Sequence, residues 1–207
     1  MTTYLALGDS YTIGEAVPES GRWPVQLAAA LRAEGVPLAD PRIIATTGWT
    51  TDELAAAMDQ AEPLGEWGFV SLLIGVNNQY RERSLDNYRS EFDALLARAI
   101  AHAGGRAERV MVLSIPDWGV TPFGEAHDRG VDVIGREIDA FNAAAHELCT
   151  ARGVAFVDIT PVSRERGAEP AMVAGDGLHP SAAMYAEWTR IALPVVRGML
   201  SDRRPPR

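Results

Sequence analysis

The sequence predicts a single α/β domain, a doubly wound parallel sheet covered by helices on both faces. Three observations lead there. Short apolar runs alternate regularly with longer helical patterns, in the order βαβαβαβαβα, which is the pattern of a parallel sheet with crossover helices. The runs are apolar on consecutive residues, as strands covered on both faces should be. The length, 207 residues, suits one domain at roughly 150 residues each, and such a chain buries about 70% of its unfolded surface without a disulfide or metal.

The five strands are expected at Tyr4-Leu5-Ala6-Leu7, Ile43-Ile44-Ala45, Phe69 to Ile74, Val110 to Leu113 and Val154 to Val157. The first helix runs from about Trp23 to Glu34 and stops at Gly35, a glycine placed to end it. The second starts near Thr50, where Glu53 three residues on completes a capping box. The third carries Tyr88, Phe92, Leu95, Leu96, Ala99 and Ile100 on one face; the fourth carries Ile134, Ile138, Phe141, Ala145 and Leu148. The last carries Met184, Trp188, Ile191, Val195 and Met199, and Pro194 is expected to kink or end it. Residues 1–200 form the domain, and 201–207 are a basic, Pro-rich tail expected to fray. The longest irregular stretch, Ile115 to Gly130, leaves the carboxyl end of the fourth strand. Open α/β sheets place their ligands at that edge, and a loop this long is more often functional than idle.

Composition narrows the function. Apolar residues make up 47% and charged residues 23%, a globular balance that excludes disorder and a collagen-like fibre. No apolar run approaches the roughly 18 residues of a membrane-spanning helix. With 19 basic and 28 acidic residues the net charge is −9, which disfavours nucleic acid as a partner. Cys149 is the one cysteine, so an internal disulfide and a multi-cysteine metal site are excluded; it falls on an apolar helical stripe as a small buried hydrophobe. Ahead of Arg22 there is no basic residue, and the first apolar run is too short for a secretory signal. A cytoplasmic protein is expected, with no cofactor.

Four loops carry candidate chemistry. Ser10, in Gly8-Asp9-Ser10-Tyr11, follows the first strand directly; it is either a nucleophile exposed at the sheet's edge or a turn or N-cap serine. Near the other end, Asp176-Gly177-Leu178-His179-Pro180-Ser181 precedes the last helix. Pro180 holds His179 extended and off the helix. Asp176, three residues before, can reach Nδ1 of the imidazole and leave Nε2 to face a nucleophile; alternatively the two are a capping aspartate and a surface histidine. Thr46-Thr47-Gly48-Trp49-Thr50 follows the second strand and Gly75-Val76-Asn77-Asn78-Gln79 the third. A glycine N–H and an asparagine amide suit a developing oxyanion; each loop taken alone is also ordinary turn sequence.

In order these read G-D-S-Y, a glycine in a Thr-rich loop, G-x-N and D-x-x-H-P. The set resembles the SGNH hydrolases, also called the GDSL esterase/lipase family, over about Tyr4 to Met199. The resemblance implies a flavodoxin-like three-layer α/β/α sandwich and hydrolysis of a small-molecule acyl ester through an acyl-enzyme. It implies Ser10 as nucleophile, His179 as general base and Asp176 as its orienting partner. The oxyanion hole it implies is the N–H of Ser10, the N–H of Gly48 and the side-chain amide of Asn77. One departure is Asn78, where the family pattern G-x-N-D has an acid; this bears on packing around the site rather than on the donor. A non-catalytic ligand- or phosphate-binding domain of the same fold is the alternative, but Gly8 to Gly14 lacks the spacing of the known phosphate loops.

Among the remaining candidates, Asp9 is expected to hold the Ser10 loop by hydrogen bonds. Trp49, Trp118 and Phe123 either line an acyl pocket or pack beneath the long loop. His102 sits late on a helix, where a cation suits the dipole. His127 and His146 are expected to face solvent, and no histidine pair has metal-ligand spacing.

Overall fold

In a computed structural model, which describes residues 1–201, five strands are β1 (Tyr4–Gly8), β2 (Arg42–Ala45), β3 (Phe69–Leu73), β4 (Val110–Leu113) and β5 (Ala155–Val157). The helices among the described residues are α1 (Ser10–Ile13), α2 (Trp23–Ala33), α3 (Thr51–Gln60), α4 (Val76–Tyr80), α5 (Leu85–His102), α6 (Pro122–Glu125), α7 (Val131–Arg152), α8 (Thr160–Arg166) and α9 (Ala182–Ser201). The sheet is parallel throughout, with strand order β2-β1-β3-β4-β5. This is the flavodoxin-like order of the doubly wound class. Right-handed crossovers then decide the layers. The step from β1 to β2 runs opposite to the steps β2 to β3, β3 to β4 and β4 to β5. Accordingly α2 packs with α9, whereas α3, α5 and α7 pack together as a separate layer.

β1, β3 and β4 are buried along their whole length, while the edge strands β2 and β5 are only partly covered. The consecutive-apolar signature therefore describes the three central strands best. Gly8 ends β1 because a Cβ there would lie 2.2 Å from Thr12 Oγ1 and 2.5 Å from the Leu73 carbonyl oxygen. Only a glycine lets the chain turn off β1 into α1 so close to β3.

Most expected elements stand within a residue or two. The α3 start carries the full capping box: Thr50 and Glu53 bond each other's backbone. Two expectations need correction. Of the two outcomes expected at Pro194, a kink or an end, the end is overturned: the last helix continues to Ser201. Proline removes one rung of the ladder, yet Met184, Tyr185, Trp188, Ala192, Val196 and Leu200 are buried on both sides of it, and that packing outweighs the lost bond. The stretch from Ile115 to Gly130 is not irregular throughout. A 3₁₀ turn at Trp118–Val120 leads into α6, which Thr121 caps through the Gly124 N–H. The tail expected at 201–207 lies, beyond Ser201, outside the described residues. Among the described residues no helix is long and apolar enough to cross a membrane.

Candidate active site

The switch point of the sheet lies between β1 and β3, where the connections leave in opposite directions, and doubly wound sheets bind ligands at the carboxyl ends there. Ser10 follows β1 as the first residue of α1, and Asn77 sits in the first turn of α4 just after β3. Gly48 lies in the β2–α3 loop. All three line one cavity of about 230 Å³, together with Tyr11, Thr47, Val76, Tyr80, Trp118, Phe123, Leu178 and His179.

Asp9 is the N-cap of α1. Its Oδ1 accepts the Tyr11 N–H at 3.0 Å, which fixes the turn that presents Ser10. The carboxyl is fully buried and its Oδ2 has no partner among the described residues. Burial pushes it up to about 7; the Tyr11 and Asp9 N–H groups pull it partly back. Asp9 thus acts as the sequence leads one to expect, as a loop-holding group.

His179 and Asp176 sit on a small hairpin between α8 and α9. Val173 and Pro180 form its antiparallel bridge, the Ala174 N–H donates to the His179 carbonyl at 2.7 Å, and Gly177 turns it at φ 74°. Asp176 closes the turn by accepting the Leu178 and His179 N–H groups on Oδ1, each at 2.9 Å. Its Oδ2 lies 2.6 Å from His179 Nδ1. A carboxylate only accepts, so Nδ1 carries a proton, and in the neutral ring the lone pair then sits on Nε2. Burial alone would raise the Asp176 carboxyl, but the His179 ring and the two N–H groups outweigh it and hold the group below its ordinary value. Among the described residues the Ser10 hydroxyl makes no hydrogen bond; it shares the cavity with the His179 imidazole.

Three side chains on or just after α4 hold the Gly48 loop and the start of α3. Asn77 Nδ2 donates to the Trp49 carbonyl at 2.9 Å, and Arg81, just past the helix, donates from Nη2 to the Gly48 carbonyl at 2.7 Å. Asn78 exchanges two bonds with Thr51. Glu15 holds the other side of the loop by accepting from the Thr47 hydroxyl. Gly48 has φ 89°, a backbone conformation L side chains rarely adopt. Asn77 has a second amide hydrogen free for the cavity. Asn78, fully buried, is committed to Thr51.

Trp118 and Phe123 line the cavity, while Trp49 does not. Trp49 packs half-buried against the core and contributes its carbonyl to Asn77. His127 is not solvent-facing either. Its ring packs against Trp118, Tyr80 and Phe123, with centroids 5.2, 5.8 and 5.9 Å apart. His146 is exposed, stacked on Phe156. His102, at the α5 terminus, has Nδ1 3.1 Å from the Gly65 carbonyl and Nε2 3.4 Å from Glu62. Cys149 is buried, and burial pushes its thiol up to about 12, so it is an inert core residue. Sequence reasoning missed Tyr80 and Leu178. Treating 75–79 as a loop hid that α4 puts Tyr80 three residues from Asn77, on one helical face.

Compared with known protein families, residues 6–187 match the family described as GDSL-like lipase/acylhydrolase. Comparison with curated proteins finds no match. The fold is similar to that of TesA, at 20% identity, with 96% of this chain and 99% of that chain covered and a TM-score of 0.72. It is similar to a lipase/acylhydrolase from Enterococcus faecalis, at 17% identity, 99% and 100% coverage and a TM-score of 0.74. An acetylxylan esterase from Geobacillus stearothermophilus shares 19% identity over 94% of each chain, with a TM-score of 0.70.

Proposed function

Because the chain belongs to the GDSL-like lipase/acylhydrolase family, and is by that membership a serine ester hydrolase, we propose that Ser10, His179 and Asp176 are its catalytic triad. Ser10, Gly48 and Asn77 then form the oxyanion hole. One observation carries this reading. Ser10, Gly48, Asn77 and His179 open onto one cavity, and Asp176 holds the far side of the imidazole.

The chemistry follows from those positions. His179 Nε2 takes the hydroxyl proton as Ser10 Oγ attacks the ester carbonyl carbon. The carbonyl π pair moves onto oxygen, and the N–H groups of Ser10 and Gly48 with the Asn77 amide stabilise that charge. Asp176 keeps the ring in the tautomer that can accept and offsets the imidazolium. When the oxyanion collapses, the alkoxide leaves with the proton from His179. Water, deprotonated by the same nitrogen, then attacks the acyl-enzyme and releases the acid and Ser10.

The substrate in this reading is a small or medium acyl ester, met as a small molecule in the cytoplasm. The cavity wall of Val76, Tyr80, Trp118, Phe123 and Leu178 supports an apolar acyl group. Among the described residues no arginine lines the cavity, so the alternative of a phosphate-binding domain finds little support there. The test is hydrolysis of an activated ester by wild type and Ser10→Ala, with a phosphonate probe followed to its peptide. The expected result is activity and single labelling at Ser10 in wild type and neither in the variant; labelling elsewhere sinks the assignment.

A further inference from the structure

The cavity's aromatic wall comes from two separate parts of the chain. Tyr80 ends α4, while Trp118 and Phe123 belong to the segment between β4 and α7, with His127 of the same segment packed against them. Arg129, two residues after His127, joins them without lining the cavity itself. Its guanidinium reaches four acceptors. Nη1 donates to the Gln79 carbonyl at 3.2 Å and to Glu137 at 3.3 Å. Nη2 donates to the Tyr80 carbonyl at 3.1 Å and to Glu82 at 2.7 Å. Two of these are carbonyls at the end of α4; that of Gln79 also accepts the Glu82 N–H at 3.0 Å. The side chain is only 13% exposed.

The same network reaches the wall from behind. Glu137 accepts from Gln79 Nε2 at 2.6 Å, and Gln79 Oε1 accepts the Trp118 indole N–H at 2.8 Å. Arg129's own N–H donates to His127 Nδ1 at 3.2 Å, and that ring packs on Trp118, Tyr80 and Phe123. A planar fork of fixed donors is what bridging four acceptors requires, and a lysine cannot reproduce it.

We propose that Arg129 is a specificity-positioning residue. By clamping the 118–130 segment to the end of α4 it sets the width of the acyl pocket and thereby excludes long acyl chains. This rests on the ester-hydrolase assignment of the cavity given above. Asn77, at the other end of α4, is bonded to Trp49 rather than to the clamp, so loosening Arg129 widens the pocket while leaving the oxyanion donor in place.

The experiment is a p-nitrophenyl ester series from acetate through butyrate and octanoate to dodecanoate, on wild type, Arg129→Ala and Arg129→Lys, with thermal melts. In Arg129→Ala the ratio of kcat/KM for dodecanoate to that for butyrate should rise about tenfold, the size of effect one methylene's fit can have. The change should fall mainly on KM, acetate turnover should stay within about threefold, and Arg129→Lys should lie between. A uniform loss on every chain length, or an unchanged chain profile in a folded Arg129→Ala, overturns the proposal. So does an Arg129→Ala that fails to fold while Arg129→Lys keeps the wild-type profile. Inactivity of the wild type on all esters sinks the hydrolase reading itself, which an altered variant alone cannot do.

Discussion

Asn78 and Thr51 hold each other by two hydrogen bonds: the Thr51 N–H donates to Asn78 Oδ1 at 3.1 Å, and Asn78 Nδ2 donates to the Thr51 hydroxyl at 2.7 Å. The Thr51 hydroxyl spends its own proton on Glu91. The chain thus has an amide donor where the family pattern has an acid, with a carboxylate on the far side of the same threonine. Asn78→Asp would set two carboxylates against one hydroxyl proton, one of them fully buried. We expect it to lower stability by about 1–3 kcal/mol, the usual cost of an unsatisfied buried polar group, with turnover little changed. Adding Glu91→Gln should restore most of the loss. A double-mutant cycle by denaturant unfolding checks this, and additive effects would refute the coupling.

Asn77 differs from its neighbour in facing the cavity. Asn77→Ala should reduce kcat by about 10²–10³ with little change in KM, because the hydrogen bond strengthens as charge develops. Its bond to the Trp49 carbonyl is also lost, so a small drop in melting temperature should accompany it. Steady-state kinetics on one activated ester measures the split; near-normal kcat would remove Asn77 from the oxyanion hole.

Arg81 touches the loop that carries the proposed oxyanion donor Gly48 from outside, through the Gly48 carbonyl. Its ion pair with Glu53 is long, 3.4 Å, and exposed on both sides, so it adds little to stability. Arg81→Ala should therefore lower kcat by about three- to tenfold while the melt stays near wild type, since misplacing a catalytic group by a fraction of an ångström is costly. Equal effects on melt and rate would mean a general loosening instead.

Asp9 predicts a pH dependence of folding. Its carboxyl titrates near 7 in the folded protein, against an ordinary 3.8. Between those values the native state holds a proton that the unfolded chain has released. Stability then falls as pH rises through this window, by at most about 1.4 kcal/mol per pH unit from this group, and levels off above it. Asp9→Asn keeps an oxygen for the Tyr11 N–H and removes the titration. Melts at pH 5 and pH 8 should show the variant gaining on wild type only at the higher pH; parallel shifts would contradict the assignment.

How far the sequence anticipates this site depends on the range of the interaction involved. Ser10, Asp176 and His179 were legible because each is fixed locally, by a strand end, a three-residue turn and a following proline. Gly48 and Asn77 were legible by their place after β2 and β3. Of the two roles the sequence left open for Trp49, Trp118 and Phe123, the last two line the cavity and Trp49 packs on the core. His127 was misread because what surrounds it, Tyr80 and Trp118, comes from other parts of the chain. Arg129 and Gln79 gave no signal, since their partners exist only once α4 and α7 are side by side. Pro194 gave a correct local rule that α9's burial overrode.

If the proposed triad holds, the hairpin bearing Asp176 and His179 also sets the timing of activity during synthesis. Ser10, Gly48 and Asn77 leave the ribosome early, but the base and its partner emerge with almost the last helix. That helix is moored to the start of the chain, Gln26 Nε2 donating to the Ala182 carbonyl at 3.0 Å. A nascent or truncated chain ending before Asp176 has the nucleophile and nothing to deprotonate it. On that reading hydrolysis requires the α8–α9 hairpin to meet the end of β1, so turnover reports a long-range closure, the kind of contact that forms slowly in such a topology.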